Sequence, residues 1–341
     1  MINLKKIKKS FIIAEIGINH EGKFLNAKKL ISEAKKSGAD AVKFQVFKPH
    51  TLANKKLKKN KLQIESSKKK EDLYEMWKRV SLNDKELFKL RVFAKKINIF
   101  FICSVFDLES LNLVKKLNVD AYKIASSDVT DYFLHSHISK QKKPVILSTG
   151  MANEREIKVA VKNIKNKNIS ILHCVSLYPC NIKFANLNRI NALNKKFDLP
   201  VGYSDHCVGV NASIIAITMG AKIIEKHFTL NKKRVGLDHA LSADSDDLKI
   251  ICDFAIQYSL FKGKNSIEPT RYERSFQKFF RKGIYFKKDI KKNKKLDIHD
   301  LIVRRPKNNT PPKYYNKIIN MIASKNFSKN ESVNLNLLRK K

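Results

Sequence analysis

The chain has 341 residues and a formal net charge of +39, carried by 70 lysines and arginines against 31 aspartates and glutamates. Only eleven of the basic residues are arginine and no stripe of stacking aromatics accompanies them, so a solvated lysine surface that helps to attract anionic substrates is expected, and no nucleic-acid partner. No apolar run reaches membrane-spanning length and the lysine-rich start MINLKKIKKS leads directly into a strand-like run, so no signal peptide, anchor or membrane partner is expected.

Eight units follow one another, each a short apolar run, a polar or glycine-marked turn and an amphipathic helix. The strand-like runs are FIIAEI (11–16), DAVKFQ (40–45), IFFICS (99–104), DAYKIAS (120–126), PVILST (144–149), ISILHC (169–174), LPVGYS (199–204) and AKIIEKHF (221–228). Helix-like stretches follow at 26–37, 84–96, 107–117, 131–141, 153–166, 186–196, 209–219 and 245–261. Runs that are apolar throughout are what parallel strands buried on both faces require. Their strict alternation with helices predicts an α/β fold, a closed (β/α)8 TIM barrel. Such a barrel needs about 250 residues, which leaves room for one small further domain. The expected domains are a barrel over 1–262, a polar linker carrying Pro269 over 263–280, and a small domain over 281–341.

The C-terminal strand ends of such a barrel form its active face. Here they carry Glu15, Lys43, Gln45, Ser104, Lys123, Ser126, Asp128, Ser148, Ser176, Ser204, His206 and His227. Helix capping would account for the serines. It does not account for two lysines at buried strand ends, which need an anionic partner. Two imidazoles closing adjacent strands, with water or substrate oxygens beside them, suit a divalent cation such as Mn²⁺ or Mg²⁺ acting as a Lewis acid. His173-Cys174 and His206-Cys207 can each give at most one ligand to a zinc site, because strand neighbours point to opposite faces. Cys103, Cys174, Cys180, Cys207 and Cys252 include no C-x-x-C pair and fit reduced, buried thiols in a cytoplasmic protein.

The strings AEIGINHEG, AVKFQ, YKIASSD, ILSTGM, LHCVSLYP, GYSDH, EKHF and LDHALS, in this order and at these strand ends, resemble the sialic acid synthase family over nearly the whole chain. The resemblance implies an enzyme that condenses phosphoenolpyruvate with an N-acetylated amino-sugar aldehyde, N-acetylmannosamine or a related sugar, to a nonulosonic acid and phosphate. A legionaminate- or pseudaminate-type synthase using a 2,4-diacetamido-trideoxy sugar is the alternative. The phosphate and carboxylate of phosphoenolpyruvate call for cations and short donors. The matching positions assign that task to Lys43, Lys123, Ser104, Ser126, Ser148 and Ser204, with Ser176 where the family has asparagine or serine. His206 and His227 match the metal ligands.

The carboxylate that takes a proton from the attacking water is implied at Asp128, where the family usually has glutamate, longer in reach by roughly 1.5 Å. Glu15 and Lys123 complete the implied catalytic set. Glu15 and His20 would orient water or sugar, or the carboxylate would pair with a nearby lysine. Tyr178 and Asp238 match sugar-binding positions, Gln45 is a further candidate, and Ser66, in the segment 48–83 that resembles a substrate-covering loop, stands where N-acetylmannosamine users carry asparagine. The Asp238-His239 pair looks like the sialic and legionaminic branches.

From about Arg281 the chain looks like the family's small antifreeze-like, or SAF, domain. Asn293, Asn309 and Asn330 stand where glycine normally marks turns, and asparagine tolerates positive φ. The family forms domain-swapped homodimers in which an arginine before a proline reaches the partner's sugar site, and Arg305 beside Pro306 occupies that place. Two readings of other classes remain open at this level. A pyruvate aldolase would use Lys123 as a Schiff base and leave the histidines and serines without a task. A catalytically degenerate barrel would act as a sugar-binding protein, and metal content would separate it from an enzyme.

Overall fold

Eight parallel strands close into a barrel in chain order in the computed structural model, which describes residues 2–52, 58 and 71–340. They are β1 Phe11–Gly17, β2 Ala41–Val46, β3 Phe100–Val105, β4 Ala121–Ile124, β5 Val145–Ser148, β6 Ile169–Cys174, β7 Val201–Asp205 and β8 Ile223–His227. The helices that follow them are α1 Phe24–Lys36, α2 Asp84–Lys96, α3 Leu108–Leu117, α4 Tyr132–Ser139, α5 Glu154–Ile164, α6 Asn188–Lys196, α7 Asn211–Thr218 and α8 Ser245–Phe261. Local chemistry fixes where several of them start. Asn83 with Glu86, and Asn153 with Glu156, form reciprocal capping boxes, and Asp107, Asp131 and Asp244 accept from first-turn amides. Two further short helices, Pro49–Leu52 and Leu73–Val80, lie between β2 and α2. Ser66 lies outside the described residues.

Strand alternation divides the barrel into an outer face packed by helices and an inner face stacked in layers. The outer face carries Ile12, Val42, Phe44, Phe101, Tyr203 and Ile224 into the main core. The lowest inner layer is apolar: Ile13, Ala41, Ile102, Ala121, Ile146, Leu172 and Ile223, covered by Ile2 and Leu4. Two residues further along, the same inner face turns polar, with Glu15, Lys43, Ser104, Lys123, Ser148 and Glu225, all buried. The apolar floor is tightly filled at Gly202, where a Cβ would come 2.5 Å from both Leu172 Cδ2 and the Ile223 carbonyl oxygen. Gly202→Ala is therefore expected to destabilise the protein by about 1–3 kcal/mol, read from the denaturant midpoint. An unchanged midpoint would mean that the floor is loose.

The chain separates into two compact units, Met1–Gly263 and Lys264–Lys341. In the second, β9 Gly283–Phe286 pairs antiparallel with β10 Leu301–Arg304, and β11 Ile322–Ala323 with β12 Leu338–Arg339. Its core gathers Ile284, Phe286, Ile290, Leu296, Phe327 and Val333. The stretch with linker-like composition carries a helix, α9 Arg271–Phe280, started by a Thr270–Glu273 capping box. Asn293 (φ 66°) and Asn330 (φ 72°) adopt the left-handed conformation, whereas the third such turn falls at Asn320 (φ 73°) instead of Asn309.

Candidate active site

The strand ends converge on one pocket at the C-terminal mouth of the barrel. Glu15, Lys43, Gln45, Ser104, Lys123, Ser126, Ser148, Tyr178, Ser204, His206 and His227 line it, joined by Cys174 and Glu225. Glu225 is the residue the sequence reading missed. The signal was present, because the alternation that turns His227 inward does the same for the residue two positions earlier on β8.

Two cations and two carboxylates sit together in this pocket. Lys43 Nζ lies 2.8 Å from Glu15 Oε2 and 3.7 Å from Glu225 Oε1, and donates to Ser104 Oγ at 3.0 Å. Lys123 Nζ donates to Ser148 Oγ at 2.7 Å and to the Ile124 carbonyl at 3.1 Å, with Glu225 Oε1 3.8 Å away. Gln45 Nε2 donates to Glu15 Oε1 at 2.9 Å, and Ser204 Oγ donates to Glu225 Oε1 at 3.1 Å. Burial is the largest influence on each ammonium and pulls it down. For Lys43, Glu15 and Glu225 together outweigh it and raise the pKa. For Lys123 they do not, and its pKa is lowered. Burial likewise pushes the Glu225 carboxyl up, but Lys123, Lys43 and His227 hold it below the usual carboxylate range. The arrangement is a recess in which two ammoniums face two carboxylates, lined with hydroxyls, so that a small anionic ligand would meet two cations and short donors and would compete with Glu15 and Glu225 for them.

Ser126 and Ser176 meet around Gly150. The Gly150 amide donates to Ser126 Oγ at 3.0 Å, and a Cβ at this position would collide with both hydroxyls. Ser176 Oγ is buried without a hydrogen-bond partner. Asp128 ends the short turn Ser126–Asp128 that follows β4. It is half-buried, and burial pushes its carboxyl up to about 6 against the 3.1 Å hydrogen bond donated by Ser127. His135, itself buried, makes a 2.9 Å hydrogen bond from Nε2 to the Asp128 carbonyl.

The two histidines close adjacent strands with their ring centroids 5.4 Å apart. His206 Nδ1 bonds to the Val175 carbonyl at 2.8 Å, and burial lowers its pKa, so the neutral ring carries its proton on Nδ1 and presents the Nε2 lone pair. His227 Nδ1 lies 3.4 Å from Asp238 Oδ2 without making a hydrogen bond. Among the described residues no cluster of three or more His, Cys, Asp or Glu side chains is placed to hold an ion. The donor set therefore fits a cation that takes two imidazoles and completes its shell with water or ligand oxygens. Tyr178 packs against His206 at 4.0 Å between ring centroids.

Of the expected residues in the barrel, His20, Asp128, Ser176 and Asp238 are not among those that line this pocket. His20 is buried, accepts from the Gly22 amide at 3.0 Å and stacks on Phe44, and burial lowers its pKa to about 4. Asp238 reaches His227, while its neighbour His239 turns to Glu21 and Thr229. Arg305 belongs to the second unit, where its Nε donates to the Phe280 carbonyl at 2.8 Å and its guanidinium lies over the Phe280 ring.

The NeuB family matches residues 30–266 and the SAF domain matches residues 281–339. The chain is 38% identical over 332 residues to the N,N'-diacetyllegionaminic acid synthase of Campylobacter jejuni, covering 96% of this chain and 99% of that protein. It is 34% identical over 328 residues to the pseudaminic acid synthase of the same species, covering 95% of each. Among solved structures, the N-acetylneuraminic acid (sialic acid) synthetase of Leptospira borgpetersenii is similar at a TM-score of 0.69 and 33% identity, over 78% of this chain and 90% of that chain.

Proposed function

The chain belongs to the NeuB family, and from that premise we propose that its barrel mouth joins phosphoenolpyruvate to an N-acetylated amino-sugar aldehyde, forming a nonulosonic acid and releasing phosphate. The protein is a phosphoenolpyruvate-dependent synthase that makes a C–C bond. The observation that carries this reading is the polar inner layer. Lys43, Ser104, Lys123 and Ser148 come from four consecutive strands, β2 to β5, and offer two cations with two hydroxyls to one small anion. Ser126, Ser176 and Ser204 extend the hydroxyl lining.

The roles follow from what the reaction needs. Lys43 and Lys123 neutralise the phosphate and carboxylate, and C3 of phosphoenolpyruvate attacks the aldehyde carbon, leaving cationic character at C2. Water adds at C2 and gives its proton to Asp128. The resulting tetrahedral intermediate loses phosphate by C–O cleavage. Glu15 and Gln45 orient the water or the sugar. His206 and His227 would hold a divalent cation, Mn²⁺ or Mg²⁺, whose contribution is Lewis-acid polarisation of the aldehyde oxygen.

Tyr178 and Asp238 are assigned to the sugar. The match to a diacetyllegionaminic acid synthase across 96% of the chain favours a 2,4-diacetamido-trideoxy acceptor over N-acetylmannosamine. Five free, buried cysteines support a reducing, cytoplasmic setting, and among the described residues no helix is long and apolar enough to cross a membrane. The position of Arg305 before Pro306 supports a homodimer in which this arginine reaches the partner's sugar.

Phosphate release from phosphoenolpyruvate with Mn²⁺ tests the reaction, with N-acetylmannosamine and 2,4-diacetamido-2,4,6-trideoxymannose offered in parallel and a chelator control. Chelator-sensitive release with the diacetamido sugar is expected. Release with neither sugar would turn the reading toward a sugar-binding barrel.

A further inference from the structure

The residue before each of the two histidines points to the opposite face of the barrel wall. β7 and β8 run in register with Ser204 beside Glu225 and Asp205 beside Lys226, so the next step along both strands sets His206 beside His227. Alternation sends Ser204 and Glu225 inward, and Asp205 and Lys226 outward into the layer between barrel and helices. There both are 0% exposed, with Lys226 Nζ 3.2 Å from Asp205 Oδ2. Burying such a pair costs several kcal/mol of desolvation for each ion, and packing alone does not call for it. Two residues earlier on the same outer face, the neighbours Tyr203 and Ile224 are largely apolar.

The remaining bonds of the pair fall on the chain around His206. Asp205 Oδ1 accepts from the Cys207 amide at 2.8 Å, and Oδ2 accepts from Ser213 Oγ at 2.6 Å. Lys226 Nζ donates to the Cys207 carbonyl. Both peptide groups of the residue after His206 are thus tied to the residues that precede the two histidines. From the other direction His206 is held by Val175 through its ring and by the Cys180 amide, which donates to its carbonyl at 2.9 Å.

We infer that Asp205 and Lys226 are a positioning pair that sets the His206 and His227 imidazoles in the relative geometry one divalent cation needs, without touching cation or substrate. The inference rests on the reading of these histidines as ligands. Outer groups that orient ligands commonly govern affinity by about 10–100-fold.

Calorimetric titration of Mn²⁺ into the metal-stripped full-length protein tests it, with thermal unfolding measured beside it. Asp205→Asn/Lys226→Met removes both charges and roughly keeps both volumes. Its thermal midpoint is expected to stay near wild type or rise, since exchanging a whole buried pair is often neutral or stabilising. Its Mn²⁺ Kd is expected to rise about tenfold or more. A Kd equal to wild type, with or without a lower midpoint, would overturn the inference and leave the pair a folding role. His227→Ala in the same assay separates the two levels: if it too binds Mn²⁺ as wild type does, the ligand reading falls and the positioning role with it. Should the pair variant not fold, Ser213→Ala removes only the hydroxyl that steadies Asp205. It is expected to weaken Mn²⁺ about threefold, within the worth of one hydrogen bond, and an unchanged Kd there would equally overturn the inference.

Discussion

His206→Ala and His227→Ala are each expected to reduce phosphate release by about a thousandfold or more, while the circular dichroism spectrum and denaturant midpoint stay close to wild type. The size follows from what two imidazoles can supply. Polarising the aldehyde oxygen is worth several kcal/mol of barrier, and each 1.4 kcal/mol is a factor of ten. Among the described residues no three His, Cys, Asp or Glu side chains are grouped to hold an ion, and the nearest such groups, Asp238 and Cys174, approach the Nδ1 atoms of the two rings, so a lost ring has no ready substitute there. The stability side has a separate cause. Truncating His206 removes its Nδ1 bond to Val175 and some ring contacts, about 1 kcal/mol for the hydrogen bond, and truncating His227 removes ring contacts and the 3.4 Å approach to Asp238. A variant that keeps turnover within tenfold of wild type at saturating Mn²⁺ would contradict the ligand role of that histidine.

The barrel was legible in the sequence because its physics is local. Parallel strands buried on both faces must be apolar throughout, and the eight runs that met this condition are the eight strands, displaced at their ends by at most two residues and at β6 not at all. The displaced ends matter little, since the inner-face residues are set by alternation rather than by where the ladder stops. Lys43, Lys123, His206 and His227 were exposed to the same logic, being polar where an apolar layer would otherwise continue.

Glu225 was not read, because it sits inside a run whose terminal histidine drew the argument, although the two share a face. Asp205 and Lys226 were harder still. A charged residue on the helix-packed side of a strand looks like a strand end in the sequence, and only the register of β7 against β8 shows the two charges meeting. Asn309 failed for a comparable reason: tolerance of positive φ makes asparagine permissible at a turn, and the chain used Asn320 for the bend. Helix α9 was legible but not read: Tyr272, Phe276, Phe279 and Phe280 recur at helical spacing, while the charged residues and Pro269 around them suggested a linker, and in the structure that stripe is exposed.

Asp128→Asn is expected to lower kcat by about 10²–10⁴-fold, the usual worth of a positioned base. The pH profile gives a sharper test than the rate. Burial raises the Asp128 carboxyl to about 6, and a general base works only when deprotonated. The wild-type kcat should therefore climb with pH through about 6 and level off above it, falling tenfold per unit on the acid side, and the asparagine variant should lose that limb. Asp128→Glu adds back the methylene that the family usually carries, so it should retain the limb and most of the rate. A limb near pH 6 that survives in Asp128→Asn would have to belong to another group. Glu225 could not produce it, because Lys123 and Lys43 hold that carboxyl below the usual range despite its burial. The surviving limb would then argue that water is activated away from the Ser126–Asp128 turn, and the role given to Asp128 would be lost.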